Sequence, residues 1–197
     1  MNAEGRYIDE IRSGKFSGRV YPNILRNCPI ATPTVMIRRD ELGQTRFEES
    51  VQVGEDIILW IKLAKKSTIL GIDEPLTRVR IHGKNAMFDP QTQILGVMNI
   101  IDYAIRGNKT LPFTFRQELL SSAYLHIGYN YLRKKEKSKF LRFLIRAVTT
   151  WPLNYRLYAS LAKNSLLFIK DRALPSRDKE YHINDRSKID KPGDWRT

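Results

Sequence analysis

One cysteine, Cys28, stands in a chain of 197 residues, which excludes an internal disulfide framework and any cysteine-built zinc site. A reducing compartment is the natural setting for such a chain. No apolar run is long enough to span a bilayer, and the opening residues, Met1 to Arg6, hold no apolar core of the kind a secretory leader needs. The expectation is a cytoplasmic protein. What is present is an ordinary globular composition, 42% hydrophobic and 28% charged, long enough to bury a core as one or two domains.

The charge is strongly uneven. The net charge of +13 comes almost entirely from the second half: residues 1–103 carry 14 Lys and Arg against 13 Asp and Glu, residues 104–197 carry 20 against 8. Such an excess meets nucleic acid, anionic lipid headgroups or an acidic partner, or is simply solvated. No nucleic-acid motif accompanies it, and the aromatic residues mostly fall on helix stripes, so nucleic acid is not an expected partner.

The pattern divides the chain. A short helix is expected near residues 21–27, and β-branched or apolar stretches at 34–37, 68–72 and 77–81 read as short strands, the last two separated by Asp73-Glu74-Pro75. Between them, Ile57, Trp60, Ile61 and Ala64 recur at helical spacing behind an acidic pair, Glu55-Asp56. After Asn85 the reading is helical, with helices expected at 91–106, 114–134, 137–150 and 154–170 and a break at Trp151-Pro152. Apolar stripes run through Leu120, Tyr124, Ile127 and Tyr131, then Phe140, Leu144 and Val148. Three parts follow: 1–88, mixed α+β; 89–172, a helical extension; and 173–197, a charged tail with little periodicity, expected to be flexible.

The chemistry lies in Gly54-Glu55-Asp56-Ile57-Ile58-Leu59-Trp60 and, further on, Arg78-Val79-Arg80-Ile81-His82. Taken alone, the acidic pair reads as well as a helix N-terminal cap, His82 as a surface histidine and Trp60 as a core residue. The order of the block adds to this. Met36-Ile37-Arg38-Arg39, Gly43 with Phe47-Glu48-Glu49, Gly54-Glu55-Asp56 with Leu59-Trp60, Pro75-Leu76 and Arg80-Ile81-His82 follow one another within residues 30–85. In this order they resemble the C-terminal part of the family-2 inverting glycosyltransferases of GT-A fold.

The resemblance implies a C-terminal, acceptor-side part of a GT-A-like domain, with short strands and a helix, and a mechanism with Asp56 as general base. Glu55 would orient the base or the acceptor, and Trp60 would lie beside the acceptor. Arg80 would assist the leaving diphosphate and His82 would help hold a divalent metal, Mn2+ or Mg2+, in the complete enzyme. The partners implied are a nucleotide-sugar donor and a glycan or lipid-linked acceptor, in cell-envelope or exopolysaccharide synthesis. The family's Asp-x-Asp and nucleotide-binding half have no match: no two aspartates stand two positions apart, and no Gly-rich strand-to-helix turn precedes residue 30. Catalysis by this chain alone is therefore not expected.

Residues 117–152 resemble a degenerate tetratricopeptide unit, in which Gly128 and Ala147 would let two antiparallel helices approach closely; an ordinary helical hairpin reads equally well. His126 is expected to be structural, and Arg133-Lys134-Lys135-Glu136-Lys137 to be a solvated helix end. The alternative to a transferase is a non-catalytic helical module for an anionic membrane or an acidic protein, peripheral at the inner membrane face.

Overall fold

A computed structural model describes residues 5–7, 16–80 and 89–162. The described residues include the α-helices α1 (Arg39–Leu42), α2 (Glu55–Ala64), α3 (Pro90–Arg106), α4 (Phe113–Arg133) and α5 (Lys137–Thr150). Single 3-10 turns cover Asn23–Leu25 and Thr32–Thr34, and residues 155–162 are again helical. Among the described residues no helix is long and apolar enough to cross a membrane. Ile81, His82 and the expected tail at 173–197 lie outside the described residues.

The expected α+β, GT-A-like arrangement is overturned, because the described residues contain no strand. Residues 35–37 and 77–80 are not assigned as strand, and 68–72 shows one antiparallel bridge, between Gly18 and Ile69. Val35 does take extended backbone angles. β-branched composition sets that preference, but a strand is stabilised by cross-strand pairs, and the described residues form no ladder beyond the single bridge.

The helices follow from local signals. Asp89 caps α3, its carboxylate accepting from the Thr92 amide at 2.7 Å, with Pro90 in the first helical position. At the other end of α3, Asn108 donates to the Ala104 carbonyl at 2.7 Å and accepts from the Tyr21 hydroxyl at 2.8 Å, so one buried amide both closes the helix and ties it to the N-terminal stretch. α5 stops at Trp151, before Pro152, as the break in the sequence suggests.

α4 lies between α3 and α5. It therefore buries residues right around its circumference, Phe115, Leu119, Ala123, Leu125 and Ile127 among them, and the single stripe read from the sequence describes only part of its contact surface. Gly128 and Ala147 do sit at the α4–α5 contact. A Cβ on Gly128 would lie 3.4 Å from both Phe140 and Phe143, while the Ser121 hydroxyl donates to the Ala147 carbonyl at 2.8 Å.

The main core crosses residue 88. Val20, Ile24 and Leu25 pack with Leu59, Trp60, Ile61 and Leu63 of α2, with Ala104 of α3, with Leu111 of the turn after it, and with Phe115 and Leu119 of α4. Its edge is closed by Arg26. The guanidinium makes two hydrogen bonds to Glu118, Nε to Oε1 at 2.9 Å and Nη2 to Oε2 at 2.7 Å, and lies 4.0 Å over the Phe115 ring. Arg156 approaches the same carboxylate at 3.6 Å. The two side chains of the main pair are only 25% and 18% exposed, so solvent screens them weakly.

Arg26 holds the Glu118 carboxyl below the usual carboxylate range. Glu118→Gln is expected to cost about 1–2 kcal/mol at neutral pH, because it leaves a half-buried guanidinium without its counter-charge. A depressed carboxyl stabilises the fold above the ordinary glutamate value of about 4.3, and that stability is lost as pH falls through the lower folded value. Thermal midpoints of the two chains should thus converge on acidification; a gap independent of pH would contradict this assignment.

Candidate functional site

Gly54 sets the start of α2. It is left-handed, at φ 89°, and a side chain there would meet α3: a Cβ would stand 3.0 Å from Ile100 Cγ1 and 3.3 Å from the Gly96 carbonyl. Gly96 is needed from the other side, since its own Cβ would stand 3.1 Å from Val53. Asn99 then donates to the Val53 carbonyl at 3.0 Å. The loop leading into α2 is thereby seated on α3, which fixes where the acidic pair is presented.

Glu55 and Asp56 occupy the first turn of α2, both half-buried. The capping position itself is Gly54, which has no side chain, so Asp56 is not a simple cap. Its two oxygens have different partners. Oδ1 accepts from the Ile57 amide at 2.7 Å, and Oδ2 accepts from the Thr32 hydroxyl at 2.7 Å. Thr32 opens a 3-10 turn that is itself closed by the Thr34 hydroxyl on the Ala31 carbonyl at 2.7 Å. A carboxylate oxygen has two acceptor sites, so each oxygen of Asp56 keeps capacity to take a proton while its orientation is held.

Cys28 lies near this carboxylate. Burial raises its thiol above the ordinary value and the Asp56 charge raises it further, against a backbone hydrogen bond at Ile30 that lowers it. A thiol so placed stays protonated at neutral pH and is a poor nucleophile.

The other residues singled out in the sequence are placed differently. Trp60 is 4% exposed in the main core, and its indole N–H is buried with no hydrogen-bond partner among the described residues. Arg80 is exposed at the end of the stretch 77–80. His82 lies outside the described residues, so its distance to Asp56 is not defined. Among the described residues no group of three or more His, Cys, Asp or Glu side chains could hold a metal ion, so the implied metal has no ligand set there.

Two open depressions flank Glu48. One, of about 690 Å³, is lined by Arg46, Phe47, Glu48, Glu49, Lys62 and Lys66, and the other, of about 250 Å³, by Glu48, Asn99, Tyr103 and Arg106 among others. Lys62 bonds the Glu48 carboxylate at 3.0 Å and holds its carboxyl below the usual range. Asp56 lines neither. Thr32 was not legible as a partner of Asp56, since 24 residues separate them; the Thr-Pro-Thr turn is the only local signal.

Gly54→Ala is expected to destabilise the chain by about 2 kcal/mol or more, combining the left-handed backbone with the collision at Ile100. Denaturant melts check this. An unchanged midpoint would mean that the loop is not seated on α3.

Comparison with known proteins gives relatives of one name. The chain is 37% identical over 157 residues to an uncharacterized glycosyltransferase of Rickettsia felis, covering 77% of this chain and 26% of that protein. It is 37% identical over 147 residues to an uncharacterized glycosyltransferase of Rickettsia conorii, covering 73% of this chain and 24% of that protein. A third, of Rickettsia bellii, is 37% identical over 131 residues, 64% of this chain and 19% of that protein. The chain thus spans about a quarter or less of the length of the curated relatives it matches. No family model and no solved structure matches it.

Proposed function

We propose that this chain is the acceptor-side, base-bearing portion of a family-2 inverting glycosyltransferase, with Asp56 as the general base. The observation that carries the reading is the oriented Asp56 carboxylate, found in a chain 37% identical to proteins named glycosyltransferases. The reaction is transfer of a glycosyl group from a nucleotide-sugar donor to a hydroxyl of a glycan or lipid-linked acceptor, in cell-envelope or exopolysaccharide synthesis.

In this mechanism the acceptor hydroxyl gives its proton to Asp56 as its oxygen forms a bond to the anomeric carbon. The bond from that carbon to the nucleotide diphosphate breaks on the opposite face, and configuration inverts. Thr32 holds the base at Oδ2, so the proton is taken without first reorienting the carboxylate. Glu55, one residue before it in the same helical turn, orients the base or the acceptor, and Arg80 offers positive charge to the departing diphosphate. Trp60, buried in the core, serves the acceptor side by fixing α2. In the complete enzyme, Mn2+ or Mg2+ would be held with the help of His82, which lies outside the described residues, and would supply positive charge to the diphosphate.

The test needs a complete homologue. Replacing the aspartate that aligns with Asp56 by Asn should lower kcat by about 10²–10⁴-fold and leave the KM for the donor nearly unchanged, because a base is lost and no nucleotide contact is. In the same assay this chain alone should show no transfer. Equal turnover by the Asn variant would remove Asp56 from the chemistry.

A further inference from the structure

α5 presents an outer face that nothing in the described structure covers. Leu141 and Ile145, 55% and 54% exposed, form one row four residues apart. Arg142 and Arg146 form the adjoining row, also exposed, and exposed Lys137, Ser138, Lys139 and Thr149 complete the surface. The helix contains no acidic residue. Lys139 is paired with Glu136 at 2.6 Å, whereas Lys137, Arg142 and Arg146 make no ion pair with a carboxylate among the described residues.

We propose that this face of α5 is a membrane-contact surface, lying flat on an anionic lipid bilayer with Leu141 and Ile145 entering the acyl boundary and Arg142 and Arg146 on the headgroup phosphates. Charge complementarity selects an anionic partner. The apolar row selects lipid among such partners. The aromatic residues of α5 are already engaged, Phe140 against Tyr129 and Phe143 against Tyr124 and Tyr131 with the Arg146 guanidinium 5.6 Å from its ring centroid, so neither is free to stack on a nucleobase. A helix docked in a protein groove would need apolar anchors over two turns or more, and this row has two residues. The helix is 14 residues long, which suits lying in the interface and not spanning it. The proposal is independent of the transfer chemistry, since α2 contributes nothing to this face.

Flotation of the full chain with vesicles tests it, using phosphatidylcholine alone and phosphatidylcholine mixed with phosphatidylglycerol, at about 0.1 M and about 1 M salt. The chain should bind the mixed vesicles at the lower salt, bind neutral vesicles poorly, and be released as salt rises. Arg142→Gln with Arg146→Gln should weaken binding about thirtyfold, because two cationic side chains no longer attract the headgroup phosphates. Leu141→Ser with Ile145→Ser should also weaken binding with all charges retained, which separates lipid insertion from adsorption of a basic protein. Both pairs are exposed, so circular dichroism and melting should match the parent chain. Equal binding to neutral and anionic vesicles, no binding to either, or unchanged binding by both double variants would overturn the proposal. Tighter binding to an oligonucleotide or an acidic peptide through the same arginines would overturn it as well.

Discussion

The Arg26–Glu118 pair joins stretches of chain 92 residues apart, and the rest of the structure is arranged around that junction. One guanidinium satisfies both oxygens of a half-buried carboxylate and covers Phe115, so the edge of the core is closed by charge and by ring face together. Inside it, α2 packs against residues from both the N-terminal stretch and the helices beyond residue 88. A ten-residue helix is marginal by itself, and its stability here comes from burying Ile58, Leu59, Trp60, Ile61 and Leu63. The position of Asp56 is thus inherited from α3 and from the Thr32–Thr34 turn: Gly54 rests on Gly96 and Ile100, and Thr32 reaches the carboxylate from the facing turn.

What the sequence disclosed follows the range of the forces involved. Helix limits are local, and α3, α4 and α5 begin and end within a residue of the expected 91–106, 114–134 and 137–150. The strands expected at 34–37, 68–72 and 77–81 were a misreading, because extended preference is local while pairing is not, and the described residues form no strand. α4 was half-read, since a helix packed on two sides has no single stripe to detect. At the site, the start of α2 and its acidic pair could be read from Gly54-Glu55-Asp56. Thr32 and the seat on α3 could not, as both depend on contacts between distant residues.

The core also bears on how the chemistry would be supported. Similarity to the glycosyltransferase-named relatives extends over 77% of this chain in one case, well past residues 30–85 that carry the motif resemblance, so the helices belong to the similar region. Their physical part is visible: α3 seats the loop before the proposed base, and α4 anchors Arg26. A substitution in α3 or α4 can therefore disturb Asp56 without touching any reacting group.

The central claim is that α2 and the helices beyond residue 88 share one cooperative core. Native-state hydrogen exchange on the whole chain tests it most directly, by following the amides of Ile58 to Leu63 in α2 and Leu119 to Ile127 in α4 as denaturant rises. The account predicts that the slowest amides of both helices exchange with the same free energy and the same denaturant dependence, through one global opening. Exchange of α2 at distinctly lower free energy, with α4 still protected, would contradict it.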